Sequence, residues 1–187
     1  MPIMVPYSRY GTRVPRRLSE AENISVAVPI IRAEGEGDRR SFLGGGIHTW
    51  KLLTEDTNDA FFMFEDTMVK GKTTPLHLHA EADETVYVLE GEIVVNIDGN
   101  ERRVAAGGLT FTPRGTPHAF IVVSETARLL TLQTPGVGQA FYRGASEAAA
   151  DDEGPPRVDF ARVRAVAIET GGMAIVGPPP FEVVNAG

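Results

Sequence analysis

Cysteine is absent from this chain of 187 residues. Its absence excludes disulfide bridges and thiolate metal ligands, and it fits a reducing compartment. Long apolar runs are also missing, since none approaches the roughly 20 residues that an α-helix needs to cross a bilayer. The N-terminus lacks the apolar core of a signal peptide. We therefore predict a cytoplasmic protein that has no membrane partner.

Positive charge is in deficit. The chain has 18 lysines and arginines against 25 aspartates and glutamates, which gives a formal net charge of -7. Proteins that bind nucleic acid usually present a basic face, so the acidic balance argues against a nucleic-acid partner. Hydrophobic residues make up 42% and charged residues 23%, which is ordinary for a globular domain. The length allows one domain with a substantial core.

The middle of the chain, residues 46–135, consists of short apolar segments separated by glycine-containing turns. This pattern, without intervening helices, is typical of an all-β sandwich or barrel, and a jelly roll of two sheets is the natural candidate. Residues 98–100 read Asp-Gly-Asn and predict a hairpin turn. We predict strands near residues 47–54, 60–68, 74–80, 84–90, 92–98, 101–104, 109–112, 117–123 and 127–134.

The segment before the barrel, residues 1–45, is irregular and contains several prolines. We predict an N-terminal arm that contributes one edge strand, near residues 24–31, or a contact to a second subunit. Residues 34–40 are charged and contain glycines, a composition that predicts a surface loop.

The segment after the barrel, residues 136–187, has a different pattern. We predict one or two short helices, near residues 137–146 and 160–169, in a helical and extended segment that packs on the barrel. Asp159 is a suitable N-cap for the second helix, and Gly171 is a suitable C-cap.

Three of the four histidines fall within one spaced pattern. A strand has a period of two residues, so His77 and His79 point from the same face. Glu84 can join them from the next strand, and His118 from a distant one. Three imidazoles and one carboxylate suit a divalent transition metal ion. We predict one such ion per chain. The ligand set fits iron, nickel, manganese, cobalt, copper and zinc, so it does not identify the metal.

The spacing of these ligands resembles the signature of the cupin superfamily. Its second motif is matched except at Val122, where the family often has asparagine. Because Val122 is not a ligand position, the departure leaves the metal ligands unchanged. The residues that match the two motifs are Gly71, His77, His79, Glu84 and Gly91, followed by Gly107, Pro113, Gly115 and His118.

The wider chain resembles small bacterial cupins of the quercetin 2,3-dioxygenase-like group. The resemblance implies a double-stranded β-helix, the cupin jelly-roll barrel, and a homodimer. It implies a metal-dependent oxidoreductase that uses dioxygen on a small enolisable substrate, flavonol-like or otherwise aromatic. His77, His79, Glu84 and His118 would hold the metal, and Glu84 would also accept the proton of the substrate's hydroxyl group.

Two other functions remain open at this point. The same site can polarise a carbonyl group without dioxygen, as in a metal-dependent isomerase or cyclase of a sugar or polyketide. The barrel can also bind a small molecule without any reaction. A fold alone does not choose among these functions.

Six further residues are candidates for the substrate pocket. His48 shares a strand face with Trp50, and Phe120 shares one with His118. Aromatic residues in a β-sandwich are more often core than cavity wall, so the direction of the others stays open. The candidates are His48, Trp50, Phe62, Phe64, Phe111 and Phe120.

Overall fold

A computed structural model describes residues 27–149 and 158–181 of the chain. The rest of the predicted N-terminal arm, residues 1–26, and residues 150–157 and 182–187 of the C-terminal segment lie outside the described residues. Two α-helices are present in the described part, α1 (Gln139–Gly144) and α2 (Phe160–Thr170). The strands are β1 (Asp38–Phe42), β2 (Ile47–Leu52), β3 (Phe62–Val69), β4 (Leu76–Leu78), β5 (Asp83–Glu90), β6 (Glu92–Ile97), β7 (Asn100–Ala105), β8 (Leu109–Thr112), β9 (His118–Val122), β10 (Thr126–Thr134), β11 (Ser146–Ala148) and β12 (Ala174–Gly177).

These strands form two antiparallel sheets. The larger has the order β11-β1-β2-β3-β10-β5-β8, and the smaller has the order β12-β4-β9-β6-β7. One buried apolar cluster contains Val88 and Leu129 of the larger sheet together with Ile93 and Val122 of the smaller. The sheets therefore pack face to face around a shared core, which is the jelly-roll architecture. The prediction of an all-β jelly roll with one or two short C-terminal helices is confirmed.

Strand β3 illustrates how the sequence builds this core. Phe62, Phe64 and Met68 are almost inaccessible, while the residues between them are more exposed. Period-two alternation places these side chains on the inner face, where each stabilises the fold by about 1.5–3 kcal/mol. Asp66 lies on the same inner face and is 7% exposed. Because burial of a charge is costly, this carboxylate is a departure from the core pattern that needs an explanation.

The predicted hairpin at residues 98–100 is present. Ile97 pairs with Asn100 across β6 and β7, which leaves Asp98 and Gly99 as a turn of two residues. Both have positive φ angles, 51° and 78°, as the twist of a tight hairpin requires. The turn thereby sets the register of two strands in the smaller sheet.

The N-terminal strand lies later in the chain than predicted. Residues 27–31, the described part of the segment predicted as an edge strand, form no strand. The strand is β1 instead, which begins at Asp38 within the stretch predicted as a loop and pairs with β2 and β11. Its first residues are exposed, while Ser41 and Phe42 at its end are buried. Pairing with neighbouring strands therefore outweighs the local charge.

The C-terminal segment extends both sheets, since β11 pairs with β1 and β12 pairs with β4. Helix α2 begins after Asp159, whose carboxylate accepts a hydrogen bond from the Arg162 backbone N–H at 3.0 Å. It ends at Gly171, which has a φ angle of 67°. Val163 and Ala167 bury one face of this helix. No helix in the described residues has the length and apolar character that crossing a bilayer requires.

Candidate metal centre

The three histidines predicted as ligands come together in the smaller sheet. His77 lies on β4, His79 follows that strand and His118 begins β9. His77 and His118 are direct partners across the two antiparallel strands. All three side chains are buried, and one ring nitrogen of each lies within 4.8 Å of those of the other two. The fold therefore builds a three-histidine cluster from two separate parts of the chain.

A backbone carbonyl orients each of the three imidazoles. The Nδ1 atom of each ring lies within hydrogen-bonding distance of a carbonyl oxygen, which can only accept, so Nδ1 carries the proton. Each Nε2 atom is then left with a free lone pair, the form in which histidine binds a metal. The carbonyls belong to Pro75 for His77 (2.8 Å), Gly172 for His79 (2.7 Å) and Thr116 for His118 (2.9 Å).

Glu84 approaches the cluster from β5 of the larger sheet. Its Oε1 lies 3.3 Å from Nε2 of His118, and its Oε2 lies 3.4 Å from Nε2 of His79. Both nitrogens are buried and have no hydrogen-bond partner among the described residues. Lone pairs on nitrogen and oxygen repel each other unless a cation lies between them.

The two distances from Glu84 match those between neighbouring ligands of one metal ion. Ligand atoms that each lie about 2.1 Å from one ion at tetrahedral or octahedral angles are about 3.0–3.4 Å apart. Three imidazole nitrogens and one carboxylate form a donor set suited to a divalent transition metal, whose identity this set does not select. Since such metals often take five or six ligands, four protein donors would leave one or two coordination positions open.

Electrostatics keep Glu84 ionised. Burial would raise the pKa of Glu84, but the contacts and charges of His118 and His79 lower it well below its ordinary value. Burial and the like charges of its neighbours lower the pKa of His77 to about 3, so this imidazole is neutral. For His118 burial lowers the pKa, but Glu84 outweighs it and raises the pKa. An ionised, buried carboxylate beside the neutral His77 imidazole attracts a cation.

Two residues that sequence reasoning missed hold the Glu84 carboxylate. Gln133 on β10 donates from Nε2 to Oε2 of Glu84 at 2.9 Å, and the Tyr142 hydroxyl donates to the same oxygen at 3.3 Å. Burial, followed by the charge of Glu84, raises the pKa of Tyr142 well above its ordinary value, so the phenol keeps its proton. A polar residue in the apolar alternation of β10 was the available signal for Gln133. Tyr142 had none, because α1 reaches the site only in the folded chain.

The loop before His118 is tied to the first histidine motif. The guanidinium group of Arg114 binds both carboxylate oxygens of Asp83, at 3.1 and 2.9 Å. This partner lowers the pKa of Asp83 to about 2. The Gly115 backbone N–H donates to the His79 carbonyl at 2.8 Å. These bonds connect the two motifs, so His118 is positioned by the strand that carries Glu84 as well as by its own.

A small cavity adjoins the cluster. Its volume is about 50 Å³, whereas pockets for small molecules usually have about 300–1,000 Å³. His77 and Glu84 form the metal side of its wall, and Asp66 and Lys72 add charge to the rest of it. The remaining lining residues are Phe42, His48, Phe64, Thr74, Val86, Phe120, Leu129, Thr131, Tyr142 and Met173.

Three of the six predicted pocket residues line this cavity, namely His48, Phe64 and Phe120. The His48 ring is stacked on Phe42 and Phe64, at centroid distances of 4.6 and 4.4 Å. Its Nε2 lies 3.4 Å from a carboxylate oxygen of Asp66, its partner across β2 and β3. His48 thus contributes to the cavity wall outside the metal cluster.

The other three predicted pocket residues lie elsewhere. Trp50 and Phe62 are buried in the neighbouring aromatic core and do not line the cavity. Phe111 is 54% exposed on β8, the edge strand of the larger sheet. Its neighbour Thr112 is 4% exposed and takes the inward direction, so alternation turns Phe111 outward. None of these three residues lines this cavity, and a pocket role for them stays a prediction.

Comparisons with known proteins agree with this architecture. Residues 64–132 match the family model described as a cupin domain. The chain is 29% identical to quercetin 2,3-dioxygenase of Bacillus subtilis (strain 168) over 117 residues, which are 63% of this chain. The match spans 34% of that enzyme's length.

Two further similarities cover more of the other protein. The chain is 27% identical over 127 residues to the HTH-type transcriptional regulator PuuR of Escherichia coli (strain K12), covering 67% of each. The solved structure of KdgF from Halomonas sp. has a TM-score of 0.53 at 19% identity, over 58% of this chain and 94% of that one. At this identity the structural likeness concerns the fold alone.

The jelly roll and the spacing of the three histidines and Glu84 agree with these similarities. Residues 64–132 resemble a cupin domain, and the chain is similar to quercetin 2,3-dioxygenase over part of that enzyme's length.

Proposed function

We propose that this chain is a metal-dependent cupin oxidoreductase of the dioxygenase type that acts on a small enolisable substrate. The observation that carries the metal site is the approach of the Glu84 carboxylate to Nε2 of His118 and Nε2 of His79, at 3.3 and 3.4 Å. The similarity to quercetin 2,3-dioxygenase favours dioxygen chemistry over the alternatives. His77, His79, His118 and Glu84 are the proposed ligands.

A divalent transition metal at this centre would supply a Lewis acid for a substrate oxygen and, if redox-active, electrons for dioxygen. Glu84 takes the hydroxyl proton of the substrate at Oε1. Gln133 and Tyr142 hold the other oxygen, Oε2, at 2.9 and 3.3 Å. Because the pKa of Glu84 is low, its carboxylate is a weak base until the substrate reduces the positive charge beside it.

The cavity volume limits which part of a substrate can enter the site. A cavity of about 50 Å³ accepts the reacting end of a molecule but not a whole flavonol. The substrate therefore has a reacting group that is small, or its remaining part lies outside the cavity.

Dioxygen uptake tests this proposal. The purified protein is stripped with a chelator, reloaded in turn with iron, nickel, manganese, cobalt, copper and zinc, and supplied with quercetin and smaller enolisable compounds. We expect uptake that depends on one redox-active metal and on the substrate. Glu84→Gln is expected to lower turnover by about 100-fold or more, because proton transfer by a positioned base contributes that much.

Other outcomes contradict the proposal in different ways. Turnover that continues without dioxygen would identify an isomerase or cyclase. A Glu84→Gln variant that keeps its metal and its full turnover would remove the proton-transfer role.

A second candidate is a non-enzymatic module that binds a small molecule. The similarity to PuuR, a transcriptional regulator, favours it. This function predicts saturable binding of a ligand and no product, whichever metal is loaded. Calorimetry measures the binding, and product analysis of the same samples tests for a reaction.

A further inference from the structure

Lys72 lies between the small cavity beside the histidine cluster, called the metal cavity below, and a larger neighbouring pocket, called the outer pocket. The outer pocket has a volume of about 740 Å³ and a mostly apolar lining that includes Met68, Val69 and Phe160. Lys72 is the residue that lines both spaces. The metal cavity is too small for a whole substrate, but the outer pocket next to it has the additional volume. Lys72 lies at the boundary between the two.

The Lys72 ammonium group is directed at the metal cavity. Its Nζ lies 5.8 Å from the ring centre of Phe42 and 5.6 Å from that of Phe120, and both rings line the cavity. Its one hydrogen-bond acceptor among the described residues is the Thr73 carbonyl, at 3.2 Å. An ammonium group has three N–H donors, so it can still donate to a ligand.

Asp66 lies on the same side of the cavity and has acceptor capacity of its own. Its Oδ1 is buried and has no hydrogen-bond partner among the described residues. A Cβ atom placed on Gly46, a residue of the outer pocket, would be 2.5 Å from that oxygen. The outer pocket thus reaches the polar wall of the cavity at Asp66 as well as at Lys72.

The charges around the metal cavity predict the charge of the ligand that it binds. Burial lowers the pKa of Lys72 to about 8, and the Asp66 charge opposes that change, so the amine is mostly protonated at neutral pH. A divalent metal ion, the carboxylates of Glu84 and Asp66, and the Lys72 ammonium leave one uncompensated positive charge. A ligand with a single negative charge neutralises it.

We propose that Lys72 determines specificity for a monoanionic substrate: it binds the anionic oxygen at the entrance to the metal cavity while the apolar body occupies the outer pocket. This inference rests on the proposed function, because it names the substrate class of the same site. It explains how a cavity too small for an aromatic molecule can act on one. Only the end of the substrate that carries the anionic oxygen and the reacting group has to reach the cavity beside Lys72.

Binding of benzoate and benzamide to the metal-loaded protein tests this inference. The two probes have the same shape and differ in charge. We expect calorimetry to give benzoate an affinity about tenfold or more above that of benzamide, the effect of one charge-assisted hydrogen bond. Lys72→Met should lower the benzoate affinity by about tenfold and leave the benzamide affinity unchanged.

Lys70→Met is the matched control, because Lys70 is exposed and pairs with Glu125 at 2.8 Å outside both pockets. It should change neither affinity. Metal content and thermal unfolding are measured for each variant, and Lys72→Gln replaces Lys72→Met if the latter does not fold.

Equal affinities of the wild-type protein for the two probes, or no benzoate binding at millimolar concentration, would overturn the inference without any variant. An unchanged benzoate affinity in Lys72→Met would do the same. Absence of dioxygen uptake instead contradicts the proposed function, so the two failures are distinguishable.

Discussion

The histidines of the metal cluster differ in how their charge responds to pH. His77 and His118 are partners across β4 and β9, yet burial dominates at His77 and the Glu84 carboxylate dominates at His118. The pKa of His77 is lowered, whereas that of His118 is raised. In the metal-free protein the two residues therefore affect stability in opposite directions.

His77→Gln should make the metal-free protein less sensitive to acid. The pKa of His77 falls from 6.5 to about 3 on folding, so between these values the unfolded chain binds a proton that the folded protein does not. The His77 contribution to stability is complete above pH 6.5 and is lost as the pH falls toward 3. The variant should reduce the slope of unfolding free energy against pH by up to about 1.4 kcal/mol per unit.

Urea unfolding in the presence of a chelator, at a series of pH values, measures that slope. His118→Gln is the comparison, because the raised pKa of His118 stabilises the folded protein below its folded value and this effect disappears as the pH rises through it. Its slope should change in the opposite sense and at higher pH. Identical pH profiles for His77→Gln and the wild-type protein would show that burial does not control His77.

At the scale of the element, the turn between α2 and β12 contributes to the proposed metal site. The carbonyl of Gly172 in this turn accepts the hydrogen bond from Nδ1 of His79 at 2.7 Å. The turn also packs on α1, since a Cβ atom on Gly172 would be 2.8 Å from Cβ of Phe141. The C-terminal segment therefore orients one ligand from outside both cupin motifs.

Gly172→Val should weaken metal binding more than it weakens the fold. The added side chain would collide with α1 and move the carbonyl away from His79. Loss of such an orienting bond typically lowers metal affinity by about 10–100-fold. Competition with a chelator of known affinity measures the change.

Gly171→Ala is the control for this element. Gly171 has a φ angle of 67° and open space around its Cβ position, so the substitution strains the backbone without moving the turn into α1. We expect a loss of about 1 kcal/mol in stability with little change in metal affinity. Equal effects of the two substitutions on metal affinity would contradict the role of Gly172.

At the scale of the whole molecule, the proposed metal connects the two sheets. His77 and His118 belong to the smaller sheet and Glu84 belongs to the larger one. Because the ligand atoms come together only in the folded barrel, a metal ion binds the native state and not the unfolded chain. Metal binding should then stabilise the entire domain.

Addition of the cognate metal should raise the unfolding temperature by roughly 10 °C. At a metal concentration about a thousandfold above the dissociation constant the native state gains about 4 kcal/mol, which corresponds to such a shift in a domain of this size. Differential scanning calorimetry with metal and with chelator measures it. His79→Ala should abolish the shift, and an unchanged wild-type transition would argue against a resident metal.

Much of the fold follows from local pattern. The strands predicted near residues 84–90, 109–112 and 127–134 correspond to β5, β8 and β10, because alternation and glycine turns are local signals. β1 was missed, since its pairing with β2 and β11 is not visible in a charged segment. The predicted homodimer and cytoplasmic location stay predictions.

The sequence by itself determined most strands of the barrel, the two caps of α2 and the four residues proposed as metal ligands. Their spacing within each motif carries that information. Only the tertiary structure decided that Gln133 and Tyr142 hold Glu84, that Phe111 points outward and that Lys72 separates two cavities. Alternation tells which residues share a face of one strand. It does not tell which face is inward or which distant strand lies opposite, because pairing and packing between remote segments decide both.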